Sequence, residues 1–420
     1  MHGPLNVGAF AQSLHEVVNC HEILRTTFVE SEGQVMQIIA PSFTLPLTIV
    51  DLKDLPAHLQ VSEVEKVAHE VMLCPFDLAR GPLLRVKLLR LSVTEHVLIL
   101  NAHHMIYDGW SQGVLFRQLS TLYPAFVSGT PPSSSELPVQ YADFAIWQRQ
   151  WLQGSVLQAQ LDYWKQQLKD APPALNLPTD YERSTVRHYR SKHCTMQLPL
   201  LLVDRLRAFC QQEDMKLFIV VFAAFNILHY HLSQQEDILV GTGVSNRNRA
   251  EIEKLIGCFV NTLVIRTHVS DTVSCREYLR QVRQVILEAY AHQVLPFEKL
   301  IEELQPLPSP SGTPLIQTML VMHDVPLPQL ALSDITARIL DSSIETMLYD
   351  LMLVVVDLDM VEGLQVILRY QCYLYSEATV MWLLAQWQSI LHGIIADPDQ
   401  AIMDLPMEPL PAQIVCNKYL

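Results

Sequence analysis

The chain has 420 residues, of which 50% are hydrophobic and 17% are charged, and its formal net charge is −15. Because about 25% of the residues of an average soluble protein are charged, this composition indicates a large apolar core and excludes a mostly disordered chain. The acidic balance disfavours nucleic acid and anionic membranes as partners, since binding to either depends on cations that displace counterions.

Cysteine usage and apolar stretches indicate the cellular compartment. The 8 cysteines are scattered, with no CxxC pair and no tight cluster that would predict a zinc site or a disulfide framework. The opening residues, MHGPLN, show neither the basic region nor the apolar region of a secretory signal. The longest apolar stretch, 217–228, is shorter than the roughly 18 residues of a bilayer span. These features predict reduced thiols, no membrane and a cytoplasmic protein.

The first part of the chain alternates helical and strand patterns. Apolar residues near helical spacing in 5–20 lead into HEILRTTF, which predicts a helix followed by a strand. Segments 83–91 and 96–104 are β-rich and separated by SVTE, which predicts an antiparallel hairpin. An Asp-Gly pair at 108–109 interrupts the pattern before helical spacing resumes over 110–126. The predicted unit is therefore strand, turn, helix.

Two loops rich in proline divide the rest of the chain. The first covers 128–138, and the second, APPALNLPTDYERS at 171–184, predicts a linker between two halves. Beyond it we predict helices at 201–212, 217–232, 275–291 and 377–395, and strands at 238–240, 351–358 and 364–370. The fold class is α/β, as α+β sandwiches, with an N-terminal lobe over 1–170, a linker over 171–190 and a C-terminal lobe over 191–405.

The strongest chemical signal is NAHHMIYDGWS at 101–111. Successive side chains of a strand face opposite sides, so Leu98, Leu100, Ala102 and His104 share one face and His103 lies on the other. Only one of the two histidines can then serve a given site. A neutral imidazole at the position of His104, at the end of a strand, can accept a proton or a hydrogen bond from a nucleophile.

The residues after the histidine pair leave more than one interpretation open. Asp108 fits a structural anion that pairs with an arginine, and Gly109 allows a bend or a close approach of the backbone. Composition alone favours a packed histidine pair followed by an ordinary Asp-Gly turn. We predict no metal site, because adjacent histidines of a strand diverge and no third ligand is clustered nearby. The sequence contains neither a GxSxG elbow at Ser111 nor a P-loop or GxGxxG.

Several ordered motifs resemble one family. His103, His104, Asp108 and Gly109 resemble the HHxxxDG signature of nonribosomal peptide synthetase condensation domains, which belong to the chloramphenicol-acetyltransferase-like HHxxxDG acyltransferase superfamily. The continuation DGWS is typical of members that form peptide bonds. The other matches are CHEILRTTF (20–28) with RHExLRTxF, YADFAIW (141–147) with YxDFAxW, GTGVSNRNRAEIE (241–253), IGCFVNTLVIR (256–266) with IGxFVNTxxxR, and HQVLPFE (292–298) with HQDxPFE.

The chain also departs from the family pattern. Cys20 replaces an arginine, Val294 replaces an aspartate, and SPSGTPL at 309–315 replaces SRNPL. The family's opening motif and first strand precede the point where this sequence starts, so the resemblance describes an N-terminally truncated member in which one lobe has an uncovered sheet edge. Residues 406–420 resemble the start of a linker to an adenylation domain.

The resemblance implies two chloramphenicol-acetyltransferase-like lobes arranged as a V with a tunnel between them. It implies amide formation between a donor aminoacyl or peptidyl thioester and the amine of an acceptor aminoacyl thioester. Upstream and downstream peptidyl carrier proteins would supply both on phosphopantetheine arms, beside an adenylation domain or other synthetase modules, for secondary metabolite biosynthesis. The chain has no carrier attachment motif of the GGxS kind, so we predict no cofactor bound by this chain itself. A monomer is expected.

The resemblance also suggests residue roles. His104 would hold the amine or accept its proton, supported by His103, and backbone N–H groups near Gly109 are candidate donors to the oxyanion. Asn261 would lie by the tunnel or serve as a turn amide. Arg25 is the leading candidate to pair with Asp108, and the rival candidates are Arg247 and Arg249.

Three other functions stay open at this point. An epimerisation domain shares HHxxxDG but continues DGVSW, whereas this chain has DGWSQ. An acyl-CoA-dependent acyltransferase would need cations for the nucleotide phosphates, and the segments expected at the cleft are not strongly basic. The third alternative is a catalytically inactive docking module or a truncated synthetase remnant.

Overall fold

The protein folds into two compact units that do not follow one another simply along the chain. The computed structural model describes residues 1–130, 137–183, 189–307, 313–323, 329–340, 345–359 and 362–409. Unit 1 comprises Met1–Gln153, Ser245–Val260 and Leu327–Ser343; unit 2 comprises Gly154–Val244, Asn261–Pro326 and Ile344–Leu420. The chain therefore leaves unit 2 twice to complete unit 1.

This division differs from the contiguous lobes 1–170 and 191–405 predicted from the sequence. The two inserted segments return to unit 1 because their apolar residues belong to its core, where Ile256, Leu330, Leu332 and Ile335 are buried. No proline-rich loop marks the first return, at Ser245. The second begins between Pro326 and Pro328, a signal that the sequence analysis did not use as a boundary.

The predicted linker 171–190 is folded onto unit 2 over the part that is described. The Gln317 side chain accepts a hydrogen bond from the backbone N–H of Leu175 at 2.9 Å, and Asp180 accepts one from the backbone N–H of Ser376 at 2.7 Å. Residues 184–188 of that linker lie outside the described residues, as do 410–420 of the predicted tail 406–420 and most of the 309–315 departure.

Unit 1 combines two small sheets with helices. Its elements are α1 (Val7–Cys20), β1 (Thr26–Ser31), β2 (Gln34–Ile39), β3 (Leu47–Asp51), α2 (Ala57–Leu73), β4 (Leu84–Arg90), β5 (His96–Ala102), α3 (Gly109–Val127) and α4 (Tyr141–Trp151). Strands β1 and β2 form an antiparallel ribbon. In the other sheet β3 runs parallel to β4, and β4 pairs antiparallel with β5, which confirms the predicted hairpin.

The two faces of β5 bury different cores. Leu98, Leu100 and Ala102 pack against the main core of unit 1, whereas Val97 and Ile99 pack against a cluster that includes residues of α2. The alternation predicted for this strand is therefore confirmed as far as Ala102. The prediction that the strand continues to His104 is wrong, because His104 begins a short 3-10 turn, His104–Ile106. The turn, and not the alternation along the strand, therefore sets the direction of the His104 side chain.

Unit 2 is built on one large sheet. Its elements are α5 (Gly154–Gln167), β6 (Arg190–Gln197), α6 (Leu200–Gln212), α7 (Leu217–Ser233), β7 (Asp237–Val244), β8 (Asn261–His268), α8 (Cys275–Ala291), α9 (Phe297–Leu304), β9 (Thr318–His323), β10 (Glu345–Thr346), β11 (Leu351–Asp359), β12 (Gly363–Gln371) and α10 (Glu377–Ala396). Within the described residues the strand order is β10-β6-β12-β11-β9-β7-β8. Only the pairings of β9, with β11 and with β7, are parallel there; the rest are antiparallel.

Helix α7 is the most apolar part of unit 2 in sequence, and 13 of its 17 residues are buried. It packs against α8, α10 and β7, which explains why its sequence is mostly apolar on every side. Over the described part of the chain, no single helix has the length and apolar character to cross a bilayer. Helices α6 and α7 pass that test only as a pair, bent by 110°.

A histidine lies inside this apolar helix. His229 is fully buried, and its Nδ1 lies 2.6 Å from the carbonyl oxygen of Phe225, which makes Nδ1–H the donor. Burial lowers the pKa of His229 from 6.5 to about 4, although the hydrogen bond to Phe225 opposes this. At neutral pH the folded protein therefore keeps this ring neutral.

We expect His229 to make the folded state less stable as the pH falls from 6.5 to about 4, because the unfolded chain takes up a proton there and the folded chain does not. The loss across that interval is about 3 kcal/mol for this one group. Urea unfolding at a series of pH values measures it.

The variant His229→Leu has a side chain of similar volume without the titrating group, so the slope of unfolding free energy against pH should become shallower. His58→Leu, the same change at an exposed histidine of α2, is the matched control. An unchanged slope in His229→Leu would contradict the assignment.

Candidate active site

The histidine pair lies in the connection between β5 and α3. His103 directly follows the strand, and its Nδ1 accepts a hydrogen bond from the backbone N–H of Met105 at 3.2 Å. Its ring meets Phe76 edge-on at a centroid distance of 5.8 Å. Burial, and to a lesser extent the neighbouring His104, lowers the pKa of His103. Within this geometry His103 caps the turn and packs against Phe76.

His104 is the accessible member of the pair. His104 is an exposed residue, and its Nδ1 lies 3.4 Å from the Sγ of Cys258. The turn fixes the backbone of His104, because the carbonyl oxygen of His103 accepts the N–H of Ile106 at 3.0 Å. The site thus presents the imidazole of His104 to solvent from a fixed backbone.

Asp108 holds the next turn together through a buried ion pair with Arg247. The exposed fraction is 2% for the Asp108 side chain and 1% for the Arg247 side chain. Nη2 of Arg247 lies 3.2 Å from Oδ1 of Asp108. Oδ1 also accepts the backbone N–H of Ser111 at 2.8 Å, which caps α3, and Oδ2 accepts the N–H of Phe259 at 3.0 Å. The carboxylate therefore exchanges its water shell for a full set of donors.

Arg247 is equally well enclosed. Its Nη1 donates to the carbonyl oxygens of Ile252 at 2.7 Å and Leu255 at 2.8 Å, and its guanidinium lies 4.0 Å from the ring centroid of Phe259. Burial lowers the pKa of Arg247, and Asp108 opposes that effect. Arginine keeps its charge in proteins, so a cation lies beside the carboxylate.

Two further contacts tie segment 245–260 to the start of α3 and to α1. Oγ of Ser111 accepts the backbone N–H of Gly257 at 3.0 Å. Nδ1 of His21 accepts the N–H of Ile256 at 3.2 Å, while its Nε2 lies 3.0 Å from Oε1 of Gln118. Burial lowers the pKa of His21 to about 4, so the neutral ring accepts at one nitrogen and donates at the other.

The sequence did not single out His21 and Ser111 for these contacts. The signal that could have found them was their place in the CHEILRTTF and DGWS motifs. Their partners, however, are backbone N–H groups, and a pattern of residue types does not show those.

The structure changes the predicted choice of ion-pair partner. The prediction that Arg25 is the leading partner of Asp108 is wrong. Arg25 donates to the carbonyl oxygen of Ala40 and contacts Glu22, at the base of the β1–β2 ribbon. Arg249 lies over the ring of Trp147 at 4.4 Å from its centroid. Arg247 is the partner, because its segment returns to unit 1.

Asn261 belongs to unit 2 and its side chain is fully used there. Its Nδ2 donates to the carbonyl oxygens of Gln293 and Leu295, both at 2.7 Å. Its Oδ1 accepts the N–H groups of Thr262 at 2.9 Å and Phe297 at 3.0 Å. This favours the turn-amide interpretation, with Asn261 fixing the HQVLPFE loop; the alternative, a place by the tunnel, stays a prediction.

Gly109 does not provide the bend that the sequence suggested. It is the first residue of α3, its φ lies outside the left-handed region, and an added Cβ would meet no atom within 4 Å. Its possible role as a site of close approach stays a prediction. In the described ranges no group of three or more His, Cys, Asp or Glu side chains could hold a metal ion.

Comparison with known proteins gives consistent results. A condensation-domain family model matches residues 1–409. One of the chains of the linear gramicidin synthase of Brevibacillus parabrevis is 42% identical over 407 residues, which is 96% of this chain and 8% of that protein. Chondramide synthase of Chondromyces crocatus is 39% identical over 406 residues, which is 96% of this chain and 10% of that protein. The chain therefore spans a small part of the relatives it matches.

Solved structures show the same fold. The X-domain from teicoplanin biosynthesis superposes with a TM-score of 0.87 and 26% identity, covering 97% of this chain and 91% of that one. The condensation domain of the Monacolin K polyketide synthase gives a TM-score of 0.80 at 20% identity, covering 96% and 92%. The predicted chloramphenicol-acetyltransferase-like α/β fold class is confirmed.

We expect Asp108→Ala to lower the free energy of unfolding by about 3 to 5 kcal/mol, because it leaves the buried Arg247 cation without its anion. Urea denaturation at neutral pH measures this loss. In the double variant that adds Arg247→Met, the loss should be smaller than the sum of the two single losses.

Glu63→Ala removes one partner of the exposed Glu63–Lys66 pair of α2 and is the matched control, with a far smaller expected effect. A stability of Asp108→Ala equal to that of the unchanged chain would mean that the ion pair does not hold the turn.

Proposed function

The chain belongs to the condensation-domain family of nonribosomal peptide synthetases, and on that premise we propose that His104 serves amide formation between two thioester-bound substrates. The donor is an aminoacyl or peptidyl thioester, and the acceptor is the free amine of an aminoacyl thioester. The observation that carries the proposal is the accessible His104 ring on a turn whose backbone is fixed next to a buried ion pair.

Between non-hydrogen atoms, the reaction makes one bond and breaks one. The acceptor nitrogen attacks the donor carbonyl carbon, a C–N bond forms, and the C–S bond of the donor thioester breaks. The nitrogen loses a proton and the departing sulfur gains one, so the overall reaction consumes no other reagent. An α-amino group has a pKa near 8, so a useful fraction is already unprotonated at neutral pH.

His104 has two tasks in this proposal. A neutral imidazole accepts a hydrogen bond from the attacking amine, which orients its lone pair toward the carbonyl carbon, and takes up the proton as the tetrahedral species forms. The same ring can then return the proton to the departing sulfur. Backbone N–H groups at Gly109, in the first turn of α3, are our candidates for stabilising the oxyanion.

The partners belong to the proposal as well. We infer that two carrier proteins supply the substrates on phosphopantetheine arms and that an adenylation domain loads the acceptor, since the curated relatives are much longer than this chain. The expectation that the chain holds no cofactor of its own remains part of the proposal. A cytoplasmic location also remains part of it; it agrees with the absence of a disulfide among the described cysteines.

The intact network around Asp108 favours an active enzyme over an inert docking module. A buried ion pair costs desolvation free energy and often stabilises a fold no better than apolar residues would. Its retention beside the accessible His104 is explained if the turn must hold that ring in one place.

We expect His104→Ala to reduce amide formation by a factor of at least about 100 while leaving the melting temperature within a few degrees, because His104 is exposed. The assay mixes aminoacyl thioesters on phosphopantetheine-bearing carrier proteins and detects the dipeptidyl product by mass spectrometry.

His69→Ala, the same change at an exposed histidine of α2, is the matched control and should keep full activity. A His104→Ala variant as active as the control would refute the assignment. A parallel reaction with coenzyme A thioesters as donors tests the acyltransferase alternative, and transfer from those donors alone would replace carrier-dependent chemistry as the function.

A further inference from the structure

Cys258 is the side chain in contact with the exposed imidazole. Its Sγ lies 3.4 Å from Nδ1 of His104, within the range of a weak hydrogen bond in which either atom can be the donor. The residue is half-buried, and both partners belong to unit 1. The contact joins the HHxxxDG turn to segment 245–260 at a point that the ion pair does not touch.

The backbone of Cys258 is fastened on both sides. The N–H of Gly257 binds Ser111 Oγ, and the N–H of Phe259 binds Oδ2 of Asp108 at 3.0 Å. The Tyr141 hydroxyl donates to the carbonyl oxygen of Cys258 itself at 2.9 Å. Three contacts thus fix the place from which the thiol reaches the ring.

The chemistry of the contact distinguishes the two ring nitrogens of His104. Because sulfur faces Nδ1, the other nitrogen, Nε2, is the one left for an incoming amine. If Nδ1 carries the hydrogen and donates it to sulfur, Nε2 keeps the lone pair that the amine needs. The partner of one imidazole nitrogen commonly sets the protonation of the other.

We propose that Cys258 is a positioning residue that holds His104 in the tautomer protonated at Nδ1 and orients Nε2 toward the reacting amine. The proposal rests on the function proposed for His104. The family motif IGxFVNT leaves the position of Cys258 open, so the motif gives this residue no role. Any partner that accepts a hydrogen bond from Nδ1 would suit this role.

The test compares the unchanged chain with Cys258→Ala, Cys258→Ser and Cys74→Ala. Ser keeps a hydroxyl that can face Nδ1, whereas Ala removes the contact. Cys74 is an exposed thiol of the same unit that lies close to the carbonyl oxygen of Pro75 and serves as the matched control. Three readouts are measured on each chain: the ring ¹⁵N chemical shifts of His104, kcat and KM for the acceptor, and the melting temperature.

We expect the ¹⁵N shifts of the unchanged chain to report a hydrogen on Nδ1, and those of Cys258→Ala to report a mixture of tautomers. The kcat of Cys258→Ala should fall about tenfold, because a misplaced group loses much of its effect, while KM stays within about twofold. Cys258→Ser should recover most of the kcat, and Cys74→Ala should match the unchanged chain.

A Cys258→Ala variant with unchanged ¹⁵N shifts would overturn the proposal, whether kcat stays the same or falls together with the melting temperature. The ¹⁵N comparison does not depend on turnover. If His104→Ala proves fully active, the proposed function fails, and the shifts still decide whether Cys258 sets the tautomer.

Discussion

The buried pair of Asp108 and Arg247 is the interaction on which the site depends. It joins residues separated by 139 positions, one at the start of α3 and the other in a segment that returns to unit 1 from unit 2. An ion pair in an apolar interior is stable only when hydrogen bonds satisfy its remaining atoms. Here the N–H groups of Ser111 and Phe259 bind the carboxylate oxygens, and the carbonyl of Ile252 binds Nη1 of Arg247, while Nε of Arg247 is buried without a partner among the described residues.

The same network fixes the backbone of the site while it leaves one side chain accessible to solvent. The charges that fix the backbone are buried, while His104, in the short turn just before the ion pair, is exposed. Its neighbour His103 packs against Phe76 and is less exposed than His104. A general base needs both properties, because its position must be fixed and its lone pair must remain within reach of substrate.

The sequence could predict what local patterns determine. The hairpin of β4 and β5, the helix after the Asp-Gly turn and the mixed fold class follow from periodicity and turn residues. The choice of Arg247 over Arg25 could not follow, because it depends on which distant segment rejoins unit 1. The sequence also predicts too long a strand β5. The residue types around His104 do not distinguish the end of a strand from the 3-10 turn that the structure has there. The contact of Cys258 depends on three-dimensional proximity alone.

The interrupted path of unit 1 has a consequence for synthesis. Asp108 leaves the ribosome well before Arg247, and the strands up to β7 of unit 2 are translated in between. Until Arg247 is made, the carboxylate of Asp108 lacks its cation and stays in contact with water. The start of α3 then lacks the ion pair that holds it in the folded protein. A nascent chain of this protein therefore completes its first unit only after making much of its second, and an early stop would leave an unfinished surface for chaperones to cover.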